Sequence, residues 1–77
     1  MIPRMIHYWW KNPDGTIHVQ NAIMAHFGQH HVHTQEGFDK WKKNVKLVDL
    51  QYQQGKCGCT LKPGEVVDGF PPQMAEE

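Results

Sequence analysis

Arginine is nearly absent from this chain: Arg4 stands alone among eight basic residues. That excludes the dense cationic footprint by which most nucleic-acid-binding domains grip phosphate. Charge of one sign is not in excess either, since eight acidic residues balance the eight basic ones. No run of apolar residues approaches the length of a membrane span, and the N-terminus lacks a charged-then-apolar leader pattern. A cytoplasmic location with reduced thiols is therefore expected. Cysteine is scarce too. Cys57 and Cys59 are too close together to cross-link distant parts of the fold, so there is no disulfide framework. Seventy-seven residues make one domain near the lower limit for a self-sufficient core.

What is present is aromatic, histidine-rich and punctuated by turns. Asn12-Pro13-Asp14-Gly15 predicts a type I turn closed by a glycine bulge, because Pro13 pre-sets φ and Gly15 takes the positive-φ position. With Asn12 facing Thr16, Trp10 faces His18, Tyr8 faces Gln20 and Ile6 faces Ala22. The other side of this ribbon carries Met5, His7, Trp9, Ile17, Val19 and Ile23, the better core face. Tyr8 and Trp10 then share a face with His18 and Gln20, and must be covered or held for a partner. The tail around Phe70 and the 25–33 segment are the candidate covers.

Ala25 to His33 is ambiguous, with Gly28 breaking a helix and His30 to His33 compatible with a short strand. Thr34 is placed as N-cap of a helix over Gln35 to Asn44, with Phe38, Trp41 and Val45 on one stripe. Lys46 to Gln53 alternates as a strand, and Lys56 to Leu61 reads as its hairpin partner with Cys57, Cys59 and Leu61 facing inward. Lys62-Pro63-Gly64-Glu65 is a type II turn, and Val66-Val67 a brief edge strand. The fold class expected is α+β: a small antiparallel sheet of two hairpins with one short helix packed on a face. Residues 1–69 form the domain and 70–77 a loosely held C-terminal tail. All eight bases and four acids lie in residues 1–62, a balance of +4, and the other four acids lie in 63–77.

Three kinds of chemistry are weighed. The histidines His26, His30, His31 and His33 with Cys57 and Cys59 have metal-ligand character, and a zinc site would draw on His30, His33, Cys57 and Cys59. A one-residue gap between cysteines on a strand chelates poorly, so the preferred reading is two small thiols filling the core under the helix, with no metal or other cofactor. A Cys–His catalytic pair lacks any local signature and a substrate cleft, so no catalytic residue and no enzyme is expected. Lys40, Lys42, Lys43 and Lys46 beside stacking rings could hold single-stranded nucleic acid, but no ribonucleoprotein-type motif is present.

The hairpin together with Glu36-Gly37-Phe38-Asp39-Lys40-Trp41 resembles, in style over the whole chain, the small accessory proteins of bacteriophages, some of them anti-CRISPR inhibitors. That resemblance implies an inhibitor occupying a surface of a larger host complex, and it carries over no site residue. The sequence is thus read as a small non-enzymatic binding or inhibitor module, monomeric or homodimeric, acting by protein–protein contact. Its contact surfaces are Tyr8, Trp10, His18 and Gln20 on one side and Lys40, Lys42, Lys43 and Lys46 on the other. A zinc-stabilised module and a single-strand nucleic-acid binder are the alternatives.

Overall fold

A computed structural model describes residues 5–23 and 26–68, without the side chains of 26 and 27. Its centre is the hairpin of β1 (Met5–Lys11) and β2 (Ile17–Ile23). The register is the expected one, with Trp10 opposite His18, Tyr8 opposite Gln20 and Ile6 opposite Ala22. The turn explains it. Gly15 N–H donates to the Asn12 carbonyl at 2.9 Å, Asn12 N–H donates to the Thr16 carbonyl at 2.9 Å, and Gly15 takes φ +91°. A β-carbon at Gly15 would meet no steric neighbour, so the glycine serves the backbone angle and not a close approach.

The ambiguous third segment is a full strand, β3 (His26–His33), antiparallel to β2 with an irregularity between Gln20 and Ala22. Gly28 is accommodated within it. Thr34 caps α1 (Gln35–Trp41) by accepting from Gly37 N–H at 3.1 Å. The helix is shorter than expected, because Lys42–Asn44 tighten into a 3₁₀ turn. A second 3₁₀ turn over Leu47–Asp49 takes the first half of the predicted strand, leaving only β4 (Leu50–Tyr52).

Here the expected pair of antiparallel hairpins fails. β4 pairs parallel to β1, since α1 and its 3₁₀ turns carry the chain back to the outer edge of the first hairpin in the same direction. Parallel neighbours need such a crossover. Lys56–Leu61 forms no partner strand; only Cys57 makes an isolated bridge. β5 (Val66–Asp68) pairs antiparallel with β3, after a Pro63-Gly64 turn with Gly64 at φ +91°. The described sheet is mixed and five-stranded, in the order β4-β1-β2-β3-β5.

α1 covers one sheet face, where Ile17, Val19 and Phe38 form the buried core with Trp9 and Trp41 packed against it. Trp10, His18, Gln20, Ala22, His30 and Val32 are buried as well. Strand alternation puts Trp10, His18 and Gln20 on the face opposite Trp9 and Val19. The cysteines pack on that second face, not under the helix. The predicted tail 70–77, Phe70 included, lies outside the described residues. No described helix is long and apolar enough to cross a membrane.

Candidate metal centre

The segment that covers Trp10 and His18 carries the thiols. Asn12, at the start of the tight turn, holds it by its side-chain amide. Cys57 N–H donates to Asn12 Oδ1 at 2.9 Å, and Asn12 Nδ2 donates to the Cys57 carbonyl at 3.2 Å. The amide thus stands in for a strand partner. Cys57 is buried and Cys59 half-buried, both free thiols.

Four donor atoms converge there. One ligand atom from each of His18, His30, Cys57 and Cys59 lies within 4.8 Å of all the others. Cys59 Sγ is 2.9 Å from His18 Nδ1 and 3.0 Å from His30 Nε2, and Cys57 Sγ is 3.5 Å from His30 Nε2. The edges of a zinc tetrahedron with thiolate and imidazole ligands are roughly 3.4–3.8 Å, as bond lengths near 2.3 and 2.0 Å require. Side-chain adjustments that widen the short contacts and draw in the longer ones, which reach up to 4.8 Å, would bring the cluster to that size. The donor set is one that zinc prefers, and irregular backbone at Gly58 lets the two sulfurs converge on His30, where a strand would aim both the same way in parallel.

The surrounding hydrogen bonds orient both rings. Gln20 Nε2 donates to the Gly28 carbonyl at 3.1 Å, so its Oε1 faces His30 Nδ1 at 2.9 Å. That contact places the hydrogen on Nδ1 and leaves the Nε2 lone pair aimed at the sulfurs. Around His18, Thr16 Oγ1 donates to Asp14 Oδ1 and lies 3.2 Å from His18 Nε2. Asn12 Nδ2, a donor, lies 3.1 Å from the same nitrogen, so Nε2 accepts and the ring hydrogen sits on Nδ1, toward Cys59 Sγ. A metal on Nδ1 would move that hydrogen to Nε2, where Thr16 Oγ1 could accept it and the Asn12 amide would have to turn aside. The Asn12–Thr16 turn therefore both sets the strand register and positions the His18 ring.

Burial, with the second histidine adding to it, lowers the His30 pKa to about 4, and burial lowers that of His18. Burial first, then the neighbouring Cys57, raises Cys59 to about 11. Burial thus disfavours charge on His18, His30 and Cys59, and a divalent ion would reverse that logic by stabilising a thiolate. An open cleft of about 370 Å³ lined by Pro13, Asp14, Lys56 and both cysteines gives an ion a route in.

Of the residues singled out from sequence, His30, Cys57 and Cys59 are brought together, but His33 is not. His33 stacks on Trp41 at 5.4 Å and faces His31 at 4.7 Å, beneath the helix. His18 takes its place, a residue the sequence reading put on a contact surface. The hairpin register already put His18 beside Trp10; what the sequence lacked was the path of the 53–65 segment. Trp10, His18 and Gln20 are 1%, 2% and 0% exposed, so the expected contact face is covered, and Tyr8 beside them is half-buried. On the other surface, Lys40, Lys43 and Lys46 are exposed and Lys42 is half-buried. Lys42 pairs with Asp39 at 3.1 Å and Lys40 with Glu36 at 3.9 Å. Compared with known proteins, the chain matches no family model, no curated protein and no solved structure.

Proposed function

We propose that this chain is a zinc-stabilised binding module in which His18, His30, Cys57 and Cys59 hold one structural zinc ion. The convergence of these four donors within 4.8 Å carries the reading. Four protein ligands fill a tetrahedral shell and leave no position for water or substrate, the pattern of structural sites and not of catalytic ones. Zinc bound there ties the 53–65 segment to β2 and β3 and needs no redox chemistry. The role by protein contact expected from the sequence is kept, on surface away from the covered Trp10 face.

The test is elemental analysis of protein purified without chelators, followed by cobalt substitution. About one zinc per chain is expected, and Co(II) should give the intense visible bands of tetrahedral thiolate–imidazole coordination. His33→Ala should leave both unchanged, while His18→Ala should abolish the spectrum. Metal-free, fully folded protein would end this reading.

A further inference from the structure

On the opposite side of the sheet from the cysteines, β1, α1 and β4 enclose a second feature that the metal does not use. Trp9 packs on Phe38 at 4.9 Å and on Tyr52 at 4.7 Å between ring centroids. The three rings line a cleft of about 360 Å³ whose rim includes Leu47, Lys11 and Lys42 and no acidic residue. Phe38 is its buried floor. The outer wall is open, with the lining residues Leu47 and Tyr52 exposed by 80% and 53%, and Val48, next to Leu47 in the chain, by 67%. Large apolar side chains so exposed and contiguous with a concave aromatic surface mark an interaction site.

Charge selects the occupant. Lys42 sits over the Phe38 ring at 5.4 Å, and Lys43 and Lys46 lie exposed on the same connection. Asp39 pairs with Lys42 and accepts from Gln35 Nε2 at 3.0 Å, which offsets one cation and leaves the lysines around the cleft in excess. We propose that this cleft docks an acidic peptide segment of a partner protein that inserts one proline or aromatic ring between Trp9, Phe38 and Tyr52. Aromatic-lined grooves recognise proline-rich segments because the pre-extended chain loses little entropy on binding and its rings pack flat on the walls. Carboxylates flanking the ring meet Lys11 at the rim and share Lys42 with Asp39. The exposed aliphatic pair Leu47 and Val48 favours a peptide over a nucleic acid strand, whose phosphates would cross apolar surface there.

A random short-peptide library displayed on phage, selected against the metal-loaded protein, tests the assignment. Enriched peptides should share acidic residues around a proline or aromatic ring. Synthetic copies should bind Tyr52→Ala and Leu47→Ser on the order of tenfold more weakly, with unaltered circular dichroism and metal content. A Lys11→Glu/Lys42→Glu double variant should lose the acidic preference while keeping its metal. Four outcomes would overturn the proposal. They are no enrichment, peptides indifferent to Tyr52→Ala and Leu47→Ser, displacement of the peptides by oligothymidylate, and a concentration-dependent dimer dissolved by Leu47→Ser. Because these variants lie across the sheet from the cysteines, metal content measured on the same samples separates failure of this proposal from failure of the zinc reading.

Discussion

The two faces of the sheet are buried by different means. Under α1, burial comes from regular structure: Ile17, Val19 and Phe38 interlock with Trp9 and Trp41, and the helix satisfies its own backbone. Under the 53–65 segment, burial comes from irregular chain whose described anchors include the Asn12–Cys57 pair, Gln53 N–H on the Trp9 carbonyl at 2.8 Å and Gly64 N–H on the Val32 carbonyl at 3.0 Å. That second face encloses His18, Gln20 and His30, polar groups that an apolar cover cannot satisfy. A helix can be held by hydrophobic area alone. A loop over imidazoles and thiols is held by whatever links them, and in a domain this small a metal is the strongest available link.

Removing that link should separate the faces most sharply. Structural zinc sites in small domains are worth about 10–16 kcal/mol apparent, against the ~3–5 kcal/mol a core of this size supplies. Chelation, or Cys57→Ser with Cys59→Ser, should therefore release the 53–65 segment and largely unfold the domain. Tryptophan emission would shift to the red as Trp10 meets water. An unchanged melting temperature with chelator would show that packing alone suffices on both faces.

The helix face should break at its centre. Phe38, 2% exposed, touches Trp9 and Trp41, and its ring cannot be replaced by relaxation of so thin a layer. Phe38→Ala is expected to cost roughly 3–5 kcal/mol, read by denaturant unfolding of the zinc-loaded protein. A fall below about 1 kcal/mol would mean that the metal face alone carries the fold. Smaller still is the expected effect of Gln20→Leu, which removes the acceptor for His30 Nδ1 without touching a ligand. Metal affinity should fall by about 10–100-fold, while Phe38 and Trp9 keep their packing. Unchanged affinity would remove Gln20 from the support of the site.

The difference between the faces also explains what could be read from the chain. The helix face was legible because its signals are local and periodic. Asn12–Gly15 fixes the register, and Thr34, Phe38 and Trp41 mark the cap and the stripe. The parallel placement of β4 was not, since alternation over Lys46 to Gln53 states a strand but not its neighbour, and the 3₁₀ turn at Leu47–Asp49 has no period to detect. The candidate metal centre was half legible. His30, Cys57 and Cys59 stand out by residue type, but His33 is named with them while His18 is read only as part of a contact face, and strand parity cannot be assigned across Ala25 to His33. Once β3 is paired with β2, Gln20 opposes His30. His30 then shares a face with His18, and His33 falls under the helix.

Acid should distinguish the faces last and least. On the helix side His31 and His33 are held below their ordinary value of 6.5, His31 at about 4, by burial first and for His31 also by the neighbouring histidines. Both Nε2 atoms are buried without a hydrogen-bond partner among the described residues, so a proton there would place a charge against Trp41. A base whose pKa is depressed by folding binds more protons when unfolded. Its neutral form therefore contributes stability that is complete above pH 6.5 and is lost as pH falls toward about 4. On the cysteine side, a bound zinc would occupy the nitrogens that otherwise take up protons, so zinc-loaded His18 and His30 should resist the same titration until the metal leaves. Imidazole chemical shifts followed with pH, with zinc release measured in parallel by a coloured chelator, would separate the two. The His33–Trp41 contact should weaken before zinc appears in solution, and a His31→Phe/His33→Phe variant should flatten that part of the profile with one zinc still bound. Zinc release preceding any change at His33 would reverse the order and make the metal face the more acid-labile of the two.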